Sequence, residues 1–350
     1  MTILDRHVIR QFLTTLIVVA STLLVLVVLI HLFTNLENLE AGKVAFEARG
    51  MSTFTGMCRL YGLLLPFYLP QFGPLALAIS AAVTISRLHR DAEMQAARVT
   101  GIPERRILLP ILVVGAMIGA GLSVVRLEVL PRIAPLKTEA ERMLKGKSHL
   151  VLEGPMVVID GRGNFVSVRS YEPTSGIARQ VTIIPKEGEG RTHIAEIRWQ
   201  PLGPSGRGWY PMTEVIGPMR LPGGTDFTPD DLEIDTRGTR HLLAHELAEL
   251  RRRNPDRPDL KVMESVRLAT PWVALAMLVL VVPLVSRLGK IHAMMALGMT
   301  LGIGVTYFAV ERTLIELAER DASVDAPFAV WVPIVACLAF GSLLWGESAE

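Results

Sequence analysis

Cysteine is almost missing from this chain. Cys58 and Cys337 are the only two among 350 residues, both lie in or beside apolar runs, and neither stands at a metal-ligand spacing. No disulfide framework follows. Excess charge is also missing: the formal balance is +2 at pH 7, with no basic run of the nucleic-acid-binding type. Nucleic acid and acidic substrates are therefore not indicated as partners. Nucleophile motifs are absent too, since no serine sits in a GxSxG elbow and neither cysteine has a neighbouring base. Gly146-Lys147-Ser148 ends like a phosphate-cradling loop, but Glu141 occupies the place of its first glycine. His241, His245, Glu246 and Glu249 share helical spacing, yet Glu249 stands where a zinc-binding HExxH needs its second histidine, so the segment reads as a solvated helix face. The sequence predicts no catalytic residue, no metal and no cofactor in this chain.

What is present is apolar length. Half of the residues are hydrophobic and mean hydropathy is +0.38, while 20% are charged, so the charge must be segregated into a soluble portion. Six stretches are long enough to cross about 30 Å of hydrocarbon. They run from Gln11 to Phe33, Leu60 to Ile85, Ile107 to Leu127, Leu268 to Ser286, Ile291 to Val310 and Pro327 to Trp345. The first resembles a secretory signal in charge, but it has the length of a full span and no small-x-small pattern follows it. An uncleaved span is expected. The domain boundaries read as 1–130 for three spans, 131–266 for a polar domain and 267–350 for three more spans.

Lysine and arginine in the short loops set the orientation. With the N-terminus inside, the cytoplasmic segments hold nine: Arg6, Arg10, Arg87, Arg90, Arg98, Arg105, Arg106, Arg287 and Lys290. The opposite loops hold five: Lys43, Arg49, Arg59, Arg312 and Arg320. Both termini are thus expected in the cytoplasm, with the central domain outside it.

Within the spans, Pro66, Pro70 and Pro74 remove three ladder donors along one side of the second. Either that span is kinked or broken beside a neighbour or cavity, or its helix starts late after a re-entrant approach. Gly115 and Gly119, and Gly298 and Gly302, permit close helix contact within the chain or with a partner. Arg126, Glu128, Arg267, Glu311, Arg312 and Glu316 stand near span ends, where they snorkel to the interface or form a polar collar able to meet an anionic lipid head group.

The central domain opens with a helical connector, Pro131 to Lys147, and then reads as strands. MVVID and NFVSVRS flank Gly161-Arg162-Gly163, a hairpin signature, and QVTIIP, HIAEIRW and WYPMTEVIG follow with turn-rich spacers. This spacing predicts an antiparallel sandwich or jelly roll. A second helical stretch, His241 to Arg253, leads through Asn254-Pro255 back to the membrane.

One charged island remains, Ser86 to Arg106. Good helix formers run from Arg87 to Val99, and Gly101 and Pro103 stop the helix. Leu88, Met94 and Val99, with Ala92 and Ala96, are available to the bilayer or a partner, and Arg87, Arg90, Asp91, Glu93 and Arg98 to polar contacts. The segment is either a solvated linker or a docking helix.

Taken together, Leu4-Asp5-Arg6, the segment DAEMQAARVTGIPERRILLPIL with its Ala-x-x-x-Gly-Ile, HIAEIRWQP followed by GRGWYPMTEV, and RLATPWVALAMLVLVVPL with SRLGK are similar to the lipopolysaccharide-export permease family LptF/LptG. The resemblance covers nearly the whole chain. It implies an α-helical membrane protein of six transmembrane helices, three plus three, around an inserted antiparallel jelly-roll-like periplasmic domain. It further implies an inner-membrane ABC-transporter subunit that uses no cofactor itself, the ATP being consumed by a separate cytoplasmic ATPase dimer. A second permease subunit, a periplasmic bridge protein and lipopolysaccharide or a related lipid are the other implied partners. On that reading a coupling helix at about 87–100 carries Arg90, Asp91, Glu93, Arg98 and Gly101 toward the ATPase, and Lys43, Arg126, Arg267 and Arg312 are candidates for lipid head-group contact. Lys43 stands among Glu37, Glu40 and Glu47, a departure from the basic cluster common in the family. The competing class is a membrane-anchored envelope assembly or sensing protein, for which six spans are more than an anchor needs.

Overall fold

Apolar length becomes helix because a backbone without water must bond to itself. The computed structural model describes residues 3–47, 50, 52–144, 152–159, 164–173, 175–185, 190–203, 206–213, 215–216, 227–229, 232, 243–253, 258–289, 293–320 and 324–346. The phosphate-loop-like 146–148, the glycines of the first hairpin at 161 and 163, His241 and Lys290 lie outside the described residues. Among the described residues, six helices are long and apolar enough to cross a membrane: α1 (Ile3–Thr34), α3 (Thr53–Arg90), α5 (Glu104–Val124), α8 (Pro258–Arg287), α9 (Ala293–Arg320) and α10 (Ala326–Gly346). Between them lie α2 (Leu36–Glu47), α4 (Glu93–Val99), α6 (Leu130–Leu144), six strands, and α7 (Ala244–Arg253).

The chain divides into two units: Met1–Leu36 with Cys58–Ile133 and Pro258–Glu350, and Glu37–Met57 with Ala134–Arg257. In the first, the middle of α3 is buried on every side from Leu75 to Ser86 and packs with α5 and α8. Four of its hydroxyls are satisfied within their own helices. Ser80 and Thr84 on α3, Ser123 on α5 and Thr270 on α8 each donate to the carbonyl four residues back, at 2.6, 2.7, 2.9 and 2.6 Å.

Helix α3 runs unbroken through its three prolines, beginning at Thr53. The re-entrant alternative is thereby excluded. The missing donors belong to one stripe, so the rest of the ladder persists. At its far end α5 passes through a π-helical turn, Val125–Val129, into α6, with Leu130 N–H donating to Val125 O. Pro131 explains the wider turn, since its ring crowds the carbonyl four residues earlier.

Glycines mark the close approaches. Gly115 and Gly119 face Leu278 and Ala274 of α8, so this pair works inside the chain. A Cβ added at Gly298 or Gly302 would meet nothing within 4 Å among the described residues. A third approach was not signalled by any spacing: Gly341 of α10 lies against the backbone of Val279 in α8. Near the same end of the bundle, Arg105 donates to Trp345 O and Arg287 to Leu344 O. These guanidinium groups satisfy carbonyls at the C-terminus of α10 and oppose its negative dipole end.

The second unit holds the sheet. Strands β1 (Leu152–Ile159), β2 (Phe165–Glu172), β3 (Ile177–Ile184), β4 (Thr192–Gly203) and β5 (Gly206–Pro211) follow one another as an antiparallel meander, and β6 (Val215–Ile216) also pairs with β4. The described strands form one sheet because short spacers allow only hairpin returns. Alternation skips a beat on the same rung of three strands. Val168, Val181 and Ile194 are buried partners, and so are Tyr171, Ala178 and Ile197 three residues further along. Inward residues three apart, with register intact, mean that the sheet bends there and curls around its own core; Gln180, at φ 52°, sits on that line. The core is aromatic: Trp209 lies edge-on to Tyr171 and Trp199, stacks on Phe227, and donates from Nε1 to Phe227 O at 2.9 Å. Trp209→Ala is expected to cost this unit about 3–5 kcal/mol. Limited proteolysis in detergent should show the sheet cleaved at lower temperature while the six helices persist.

Candidate functional site

The charged island between α3 and α5 folds into a built corner of the first unit. The single helix expected over 87–100 is two pieces. Arg87 to Arg90 complete α3, Ala92 turns the chain with φ 60°, and α4 begins at Glu93. A left-handed alanine is disfavoured by roughly 1–2 kcal/mol. It is retained where neighbouring contacts over-determine the turn. The stop is built as the residue types require. Gly101, at φ 81°, donates to Arg98 O at 3.0 Å, and Ile102 donates to Ala97 O at 3.0 Å. These are the two bonds of a Schellman cap, which explains the glycine. Ile102 then packs on the same core as Ala97, which explains the Ala-x-x-x-Gly-Ile spacing.

Helix α4 has two different faces. Met94 and Ala97, three apart, are buried with Leu88, Ile107 and Leu108. Ala92, Ala96 and Val99 face outward, with Val99 89% exposed. Leu88 and Met94 are therefore core residues and not part of an outer face. The charges are also divided. Glu93 meets His7 of α1, with Nε2 at 3.2 Å from Oε2. Arg98 is bonded to Glu104 at the start of α5, and buried His89 stands 3.9 Å from the same carboxylate. Arg90 and Asp91 are exposed and pair with each other at 3.1 Å. His7, His89 and Glu104 were not legible as part of this corner, because no local spacing links them to α4.

The lipid-contact candidates stand on four different elements. Arg126, on the π-helical turn, lines a cavity of about 30 Å³ with Gln71, Ser123, Thr270 and Glu311. Pro70 and Pro74 form part of its wall, as a proline-lined cavity beside the second span requires. Arg312 is exposed and donates to Glu316 at 2.7 Å, and half-buried Arg267 belongs to α8; neither is a wall residue of that cavity. Lys43 is exposed on α2, in the second unit. His245 is exposed on α7, and no group of three or more metal-ligating side chains occurs among the described residues.

Comparison with protein families supplies the deciding observation. The family described as lipopolysaccharide export system permease LptF/LptG matches residues 6–207 and 221–346, nearly the whole chain. The chain belongs to the LptF/LptG family. A search of curated proteins finds no match. Membership makes this permease a membrane subunit of the ABC transporter that exports lipopolysaccharide, a multi-pass protein of the inner membrane.

Proposed function

We propose that the permease moves lipopolysaccharide, or a closely related envelope glycolipid, out of the inner membrane and passes it to a periplasmic bridge, using ATP hydrolysed by a separate cytoplasmic ATPase dimer. Helix α4 is the element through which that energy enters. The observation that supports this is the division of α4: Met94 and Ala97 root it in the bundle, while Ala92, Ala96 and Val99 are left facing solvent beside Arg90 and Asp91. A passive linker has no use for a rooted helix with an apolar outer face. Displacement of α4 would be carried into the spans as a rigid-body movement, because the packed core beneath it does not deform continuously.

On this reading α4 and both termini are cytoplasmic and the sheet unit is periplasmic, as the arginine and lysine bias requires. The exposed Gly298 and Gly302 face is available to a second permease subunit. Arg126, with Lys43, Arg267 and Arg312, is a candidate for meeting lipid phosphates. Co-purification in mild detergent, with identification of proteins and lipid, tests the proposal. Recovery of an ATP-binding subunit, a second permease and a phosphorylated glycolipid is the expected result. A permease recovered without any ATPase would instead support an envelope anchor or sensing protein.

A further inference from the structure

The cavity at the end of the bundle away from α4 presents a surplus of hydrogen-bond acceptors. Its wall is built by α3, α5, α8 and α9, with Arg126 on the π-helical turn. The hydroxyl protons of Ser123 and Thr270 already go to Gly119 O and Val266 O, so both side chains have only lone pairs left to offer. The carbonyl of Pro70 has no ladder donor, because residue 74 is proline. An ionised Glu311 is acceptor-only, and no hydrogen bond or ion pair to it is found among the described residues. The donors on the wall belong to Gln71 and to Arg126, whose charge acts on Glu311.

That surplus selects its guest. An anion would face a carboxylate and lone pairs, and a bare metal cation would face the guanidinium of Arg126. A primary ammonium brings three N–H donors and asks only for acceptors. The volume of about 30 Å³ is room for about two water-sized groups, the size of an ammonium and its neighbouring carbon. A phosphate joined to that ammonium by an ethyl link would come to rest on Arg126, whose guanidinium carries five N–H donors. The depth agrees with a lipid head group. Pro70 stands twenty residues before Arg90 in α3, a rise of about 30 Å, so with Arg90 at one membrane surface the cavity lies at the other.

We propose that this cavity holds the ammonium of a phosphoethanolamine head group, with the lipid's phosphate on Arg126. The occupant is a phospholipid of the surrounding bilayer and not the exported glycolipid: a sugar phosphate without an amine would meet the carboxylate of Glu311 and find no donor for its oxygens beyond Gln71 and Arg126. The bound head group supplies donors to acceptors on α3, α5, α8 and α9 at once, and so ties these four spans at one end. The proposal goes beyond the transport reading and shares only Arg126 with it.

The test uses the full permease chain, delipidated in detergent and incubated with an equimolar mixture of lipids that share acyl chains and differ in head group: phosphoethanolamine, its N-methyl and N,N-dimethyl forms, phosphocholine and phosphoglycerol. After size exclusion, the retained lipid is extracted and measured by mass spectrometry. Phosphoethanolamine is expected to be retained roughly fivefold over phosphocholine, the scale of losing hydrogen bonds from a charged donor, with the methylated forms between them in order. Glu311→Gln and Thr270→Val should each narrow that preference, and Glu316→Gln, whose carboxylate pairs with Arg312 instead, should keep it. Equal retention of all head groups, or a preference for phosphoglycerol, overturns the ammonium pocket. So does a preference that survives both Glu311→Gln and Thr270→Val, since the lipid then binds elsewhere. The head-group series on the parent decides the chemistry even where a variant fails to fold. None of these outcomes depends on capture of an ATPase, so the transport reading stands or falls separately.

Discussion

Val99→Asp is expected to reduce capture of the ATPase at least tenfold, while thermal unfolding of the permease stays close to that of the parent. The side chain is 89% exposed, and substitutions at such positions usually change stability by no more than about 0.5 kcal/mol. In a docked complex the same position would be enclosed by the partner. Burying an unpaired carboxylate there costs several times the roughly 1.4 kcal/mol that corresponds to a factor of ten. Pull-down of the ATPase from detergent extract, with a thermal-shift measurement on the free permease, separates the two effects. Met94→Asp is the contrasting control: Met94 is a core residue, so that variant should lower stability and capture together. Undiminished capture by Val99→Asp would remove α4's outer face from the docking surface.

Gly341→Ala is expected to destabilise the membrane unit by about 2–3 kcal/mol, the upper part of the range for overpacking. An added Cβ would meet the carbonyl of Val279, 2.7 Å from its carbon, and backbone has no rotamer through which to withdraw. Helices α8 and α10 would have to separate. The same change at Gly115 should cost less, because its Cβ would meet the flexible end of Leu278. Thermal unfolding of the two variants in detergent, followed by tryptophan emission and size exclusion, checks the order. Equal stability of both would show that the α8–α10 approach relaxes freely.

The contrast between these glycines shows where sequence reading reaches its limit. Gly115 and Gly119 were legible as a packing face because their spacing places them on one side of one helix. Gly298 and Gly302 have the same spacing, yet among the described residues no partner stands against them. Gly341 carries no motif, and its close approach to Val279 depends on how two distant helices cross. The coupling segment divides in the same way. Gly101 was legible as a stop, since a left-handed terminus favours glycine. The turn at Ala92 was not, since alanine is a good helix former and only the surrounding contacts hold it at φ 60°.

The sequence by itself determined six spans, an antiparallel sheet domain between the third and fourth, and membership of a lipopolysaccharide-export family. Those properties are written locally, in apolar length, in period-two alternation and in short runs of residues, and no folding partner is needed to read them. The tertiary structure alone decided which face of α4 is rooted and which is free, and which charges are already taken. His7 reaches Glu93 across 86 positions of chain, and Arg105 reaches Trp345 across 240. Such pairings depend on packing in three dimensions, where distance along the chain no longer measures distance in space.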